Sequence, residues 1–90
     1  MNKTRRAAIE AISAKIAELI EAIENLSEEA EIVRDEEQEY FDNMPEAFQQ
    51  GERGQMAEAA VSALDEAVSA IDEAKSALET VVGQFEEAVQ

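Results

Sequence analysis

Leu64, Ile71 and Leu78 recur every seven residues through SALDEAV, SAIDEAK and SALETVV, three copies of one unit that run end to end from Ser62 to Val82. Ala67, Ala74 and Val81 each follow these residues by three. Side chains at this spacing fall on one stripe of an α-helix, and slight under-winding keeps the stripe facing a partner. The rest of the chain has to supply something for the stripe to pack against.

Length and composition narrow what that can be. Ninety residues suffice for one small domain. The apolar share is 46%, but much of it is alanine and only four residues are aromatic. Alanine buries little area, so a monomeric core in so short a chain is thin. Long helices packed side by side, and between chains, solve this with the fewest large side chains.

The first 41 residues carry a second heptad pattern. With Ile9 at position a, Ile16, Ile23 and Ala30 are also a, and Ile12, Leu19, Leu26, Val33 and Tyr40 are d. Neither Gly nor Pro interrupts them, so one helix from residue 4 to about 41 is expected, capped by Thr4. Ile20 and Ile32 lie off this a/d seam, and Glu37 occupies a core-type position, where either the helices splay or it pairs with Arg53 near the turn. The basic start, Lys3, Arg5 and Arg6, is expected to lie beside Glu86 and Glu87 in a hairpin.

The middle segment, YFDNMPEAFQQGERGQ, breaks the periodicity and holds the only proline. Pro45 disfavours helical geometry at Met44, so the first helix should end by Asn43. A short turn, PEAFQQ, follows, started by Asn43 or Met44 and closed by Gly51. The turn spans about 42–54, and the segment from Tyr40 to Gln55 around it gathers Tyr40, Phe41, Met44 and Phe48. These residues form either a plug that closes a hairpin tip or a knob that anchors a partner.

The second long helix is expected from about 55 to 88. Its a positions are Ala57, Leu64, Ile71, Leu78 and Phe85, and its d positions Ala60, Ala67, Ala74, Val81 and Ala88. Valines at e, Val68 among them, and alanines at g widen the apolar face beyond a two-position seam. Two long helices joined by a compact turn fold back antiparallel. The expected fold is therefore all-α: an antiparallel, coiled-coil-like hairpin in a single domain over residues 1–90. Its uncovered face predicts a homodimer, a four-helix bundle; the alternative is a monomeric hairpin that leaves this face for a different protein. Leu64, Ala67, Val68, Ile71, Ala74, Leu78 and Val81 are the expected packing and dimer residues.

Charge and missing residue types exclude several functions. There are 7 Lys plus Arg against 22 Asp plus Glu, a net charge of −15. Direct binding to nucleic acid or an anionic membrane is disfavoured. Cysteine and histidine are absent, which removes thiolate chemistry, imidazole ligands and the usual general base near neutral pH. No EF-hand, phosphate loop or nucleophile–base pair is present, so no catalytic residue, metal ligand or cofactor is expected. No signal peptide or membrane-spanning run is seen, and the expected location is the cytoplasm. Eleven carboxylates between residues 21 and 46 are offset only by Arg34. They are either a solvated face or an anionic surface for a basic partner, and Asp35, Glu36, Glu39 and Asp42 mark the part nearest the turn.

The stretch from Glu39 to Gly54, EYFDNMPEAFQQGERG, followed by an acidic Ala-rich heptad helix, resembles small acidic proteins encoded by bacteriophages and prophages. Their shared features are a Tyr-aromatic-Asp-Asn-Met-Pro-Glu segment, a Gln and a Glu-Arg-Gly step. Tyr40, Phe41, Asp42, Asn43, Met44, Pro45, Glu46, Gln49, Glu52, Arg53 and Gly54 carry the match. The resemblance implies a viral accessory protein of a bacterial host and points to binding a host protein, including inhibition of a defence component. The expected function is non-enzymatic protein binding. The alternatives are an acidic mimic that fills the basic groove of a DNA- or RNA-binding protein, and a structural spacer or assembly factor.

Overall fold

The computed structural model describes residues 1–90, which form an extended body of 68 × 15 × 13 Å. Helix α1 spans Lys3–Asp42, a four-residue α2 spans Glu46–Gln49, and α3 spans Glu52–Ala88. About 90% of the chain is helical and no strand forms. No helix is long and apolar enough to cross a membrane. The radius of gyration is 20.2 Å, against about 12 Å for a compact chain of this length.

Helices α1 and α3 pack against each other over their length, in antiparallel register. Three side-chain contacts fix that register: Ser27 Oγ donates to Asp72 at 3.1 Å, Lys75 Nζ pairs with Glu24 at 3.3 Å, and Arg34 pairs with Asp65 at 3.2 Å. The two residue numbers add to 99 in every one of them. The pairing therefore runs without slippage from one contact to the next.

The heptad period is present, but the seam does not use positions a and d. On α1 the shielded residues are Ile9, Ser13, Ile16, Ile20, Ile23, Ser27, Ala30, Glu31, Arg34, Glu37 and Phe41. On α3 they are Gly54, Ala57, Ala60, Val61, Leu64, Val68, Ile71, Lys75, Leu78, Val81, Val82, Phe85 and Val89. Apart from Glu31 on α1 and the half-buried d residues Ala60 and Val81 on α3, these step by three and four along positions a and e. Ile20 thus belongs to the seam, contrary to the sequence expectation. Ile12, Leu19, Leu26, Val33 and Tyr40 are turned out of it. Side-chain size on α3 explains the choice. Its large residues sit at a and e, whereas d is mostly alanine, so burial of a and e removes more apolar area from water. Ala67 and Ala74 accordingly lie exposed, while Leu64, Val68, Ile71 and Leu78 face α1.

The helix ends also depart from expectation. Asn2, not Thr4, caps α1, its Oδ1 accepting from the Arg5 amide at 2.8 Å. Gly51 follows α2 and closes the turn, its amide donating to the Phe48 carbonyl at 3.1 Å. Its φ is −88° with extended ψ, and it serves as the N-cap of α3. The glycine with a packing reason is Gly54, which is buried, and a Cβ there would overlap the backbone of Gln49. This close approach seats α2 on the first turn of α3. Glu37 and Arg53 form no ion pair, and neither do the basic N-terminal residues with Glu86 and Glu87.

Burial within one chain is thin. Only Ile16, Gly54, Ala57 and Val68 are buried. The accessible surface is 6583 Å², against about 5,200 Å² expected for a globular monomer of this mass.

Gly54→Ala is expected to lower the thermal midpoint, because backbone must move to admit the methyl group. Gly83 is helical with open space around its Cα. Gly83→Ala should stabilise by about 1 kcal/mol, raising the midpoint by roughly 4–8 °C. Melts followed by circular dichroism check both.

Candidate functional site

The hairpin has two unlike broad sides. One carries the cross-helix polar contacts, where Glu24, Ser27, Glu28, Glu31, Asp72 and Lys75 surround a polar groove of about 280 Å³. Ser27, Arg34 and Lys75 take e positions in the seam and reach outward to b-position carboxylates on the opposite helix. Long or small polar groups suit such seam-edge positions, because the stem packs while the charge stays wet. Arg34 also bonds Asp35, and this hydrogen bond is the main cause that holds its guanidinium pKa above the ordinary value.

The other side is apolar. Ile12, Leu19, Leu26, Val33 and Tyr40 remain between 43% and 54% exposed along α1. The d positions of α3 lie on the same side, since Tyr40, Arg53, Met56 and Ala60 line one groove of about 320 Å³ together with Glu37 and Ala57. The fixed register sets Ile12 level with Ala88, Leu19 with Val81, Leu26 with Ala74, Val33 with Ala67 and Tyr40 with Ala60. These pairs add to 100, within about 1.5 Å of the polar register. Each large residue thus lies beside a smaller one, and no charge intervenes among the ten.

The turn end forms a second feature. Pro45 starts α2 with φ −55° and ψ 146°, the extended geometry its ring permits. The turn folds back on α1 because Gln49 Nε2 donates to the Phe41 carbonyl at 3.0 Å and lies 3.5 Å from that of Asp42. Carbonyls at a helix C-terminus lack intrahelical partners, so this amide caps α1 from α2. The aromatic cluster is split by this fold. Phe41 and Met44 are half-buried, while Tyr40 and Phe48 stay exposed. A groove of about 390 Å³ opens between Tyr40, Asn43, Met44, Pro45, Phe48 and Arg53.

Arg53 and Gln49 were not singled out as site residues from the sequence. Arg53 lines both apolar grooves and forms no ion pair, despite 22 acidic residues in the chain. The readable signal for both lay in the Gln and Glu-Arg-Gly steps after the proline. Asp35, Glu36, Glu39 and Asp42 are all exposed on α1, and Asp42 accepts a hydrogen bond from Gln38 at 2.9 Å. They border the turn end without converging on it, and no group of three Asp or Glu side chains is placed to hold a metal ion.

Gln49→Ala is expected to cost about 1 kcal/mol through loss of the α1 cap, read as a lower thermal midpoint. Added salt should act oppositely. Screening relieves repulsion within a chain of charge −15, so the midpoint should rise between low and physiological ionic strength. Comparison with known family models, curated proteins and solved structures finds no match to this chain.

Proposed function

We propose that this protein is a non-enzymatic interaction module that works as a dimer of hairpins and grips a host protein with its turn end. The observation that carries this reading is the exposure of Phe48 at an apolar groove that also holds Met44 and the unpaired Arg53. An exposed aromatic group beside a methionine and a lone guanidinium combines residue types enriched at protein interfaces. The partner surface that fits is an apolar protrusion with a carboxylate for Arg53. The long hairpin supplies reach and a rigid mount, and the half-buried Met44 lines the groove.

The resemblance of the Tyr40–Gly54 segment to bacteriophage and prophage accessory proteins supports a bacterial cytoplasmic setting. There the protein would occlude or inhibit its target, such as a defence component. A second reading is favoured by the exposure of Asp35, Glu36, Glu39 and Asp42 together. In it the acidic flank of α1 fills the basic groove of a nucleic-acid-binding protein.

Affinity capture from a bacterial host lysate separates the two. Phe48→Ala should keep its helical content and lose the captured protein, with capture insensitive to moderate salt. A capture lost instead in the variant with Asp35, Glu36 and Glu39 neutralised, and falling steeply with salt, supports the acidic mimic and overturns the turn-led reading.

A further inference from the structure

The apolar side of the hairpin is a face that one chain leaves uncovered. We infer that a second copy of this chain covers it, with the two-fold axis parallel to the long axis of the hairpin, so that both turns lie at the same end. The inference deepens the dimer reading proposed above and rests on it.

The area is sufficient. From Ile12 to Tyr40 the stripe runs 28 residues, about 42 Å. On a body 15 Å wide this offers roughly 600 Å² per copy, or about 1,200 Å² for two. That reaches the lower end of stable, specific interfaces. The excess accessible surface of the single chain points the same way.

Side-chain size fixes the symmetry. Two such faces can meet with α1 over α1 and α3 over α3, or with α1 over α3. The first arrangement puts Leu on Leu along one side and Ala on Ala along the other. It demands two different helix separations within one interface. The second puts large on small at nearly every level, as well-packed bundle layers do. It is generated by a two-fold axis along the hairpin. Such an axis carries no translation along itself, so each level of one copy meets the same level of the other. The register within one chain then becomes the register between chains. Leu26 sits over Ala74 of the second copy, Ile12 over Ala88, and Tyr40 over Ala60.

Charge permits this arrangement. Glu29 and Glu36 flank the α1 stripe, and at their levels α3 presents Ala70 and Ala63, so like charges do not meet. Tyr40 of the second copy enters the 320 Å³ groove, to which Ala60 contributes. Phe48 remains at the end of the assembly, and both copies present it in the same direction.

Cysteine cross-linking tests the geometry without background, because the chain has no cysteine. Leu26→Cys and Ala74→Cys proteins are prepared singly, mixed, refolded together and mildly oxidised. A disulfide-linked dimer should form in the mixture, with little from either protein alone. Strong cross-linking by the Leu26→Cys protein alone places α1 over α1 and overturns the inference. Sedimentation of the unmodified protein separates the two levels of failure. A dimer that gives no cross-link in the mixture overturns this geometry and leaves the dimer standing. A single 9.9 kDa species at high concentration overturns both. Leu26→Glu should weaken dimerisation by at least about 100-fold while circular dichroism still reports helix. Undiminished dimerisation in that variant also overturns the inference.

Discussion

The seam between positions a and e of the two long helices governs everything else in this molecule. Ile16 and Val68 are its best-buried large residues, and Ile9, Ile20, Ile23, Leu64, Ile71, Leu78 and Phe85 extend it. Its location is a contest between faces. Helix α3 has apolar residues at four of seven heptad positions, and the pair carrying the most bulk wins. Once that pair turns inward, the d positions of both helices turn to one side and the b positions to the other. The acidic, ion-paired side and the apolar side are thus consequences of a single rotational choice.

That choice was the part hardest to read from sequence. The seven-residue period, the helix lengths and the break at Pro45 were legible, because each depends on local spacing or local stereochemistry. The rotation depends on both helices at once. Viewed alone, α1 offers its clearest apolar stripe at a and d, since its e positions include Ser13, Ser27 and Arg34. Ser27 and Arg34 are accommodated in the seam because the opposite helix places Asp72 and Asp65 within reach of them. The site shows the same limit. Tyr40, Phe41, Met44 and Phe48 could be picked out as a cluster. Their division into half-buried and exposed members could not, because it follows from Gln49 reaching back to Phe41 and from the bare Cα of Gly54 against Gln49.

The molecule separates its tasks by position. The polar side fixes register through contacts that are individually weak at the surface. The apolar side has the breadth of an interface but little chemistry. The turn end combines aromatic exposure, a proline-set bend and an unpaired arginine within a few residues. A rigid rod that carries distinct chemistry at one tip holds that tip far from its other end, here by most of the 68 Å length.

The constant sum of paired residue numbers has a consequence for how such a chain can change over evolutionary time. Loss of one residue from either arm rotates everything beyond it by about 100° and carries the seam residues off the seam. Loss of a whole heptad from one arm restores the rotation but leaves the other arm without a partner over about 10 Å. Only matched removal or addition of seven residues in both arms, at the same level, preserves the seam. The length of this protein should therefore drift in steps of about fourteen residues, and shorter insertions should survive only at the turn or the free ends.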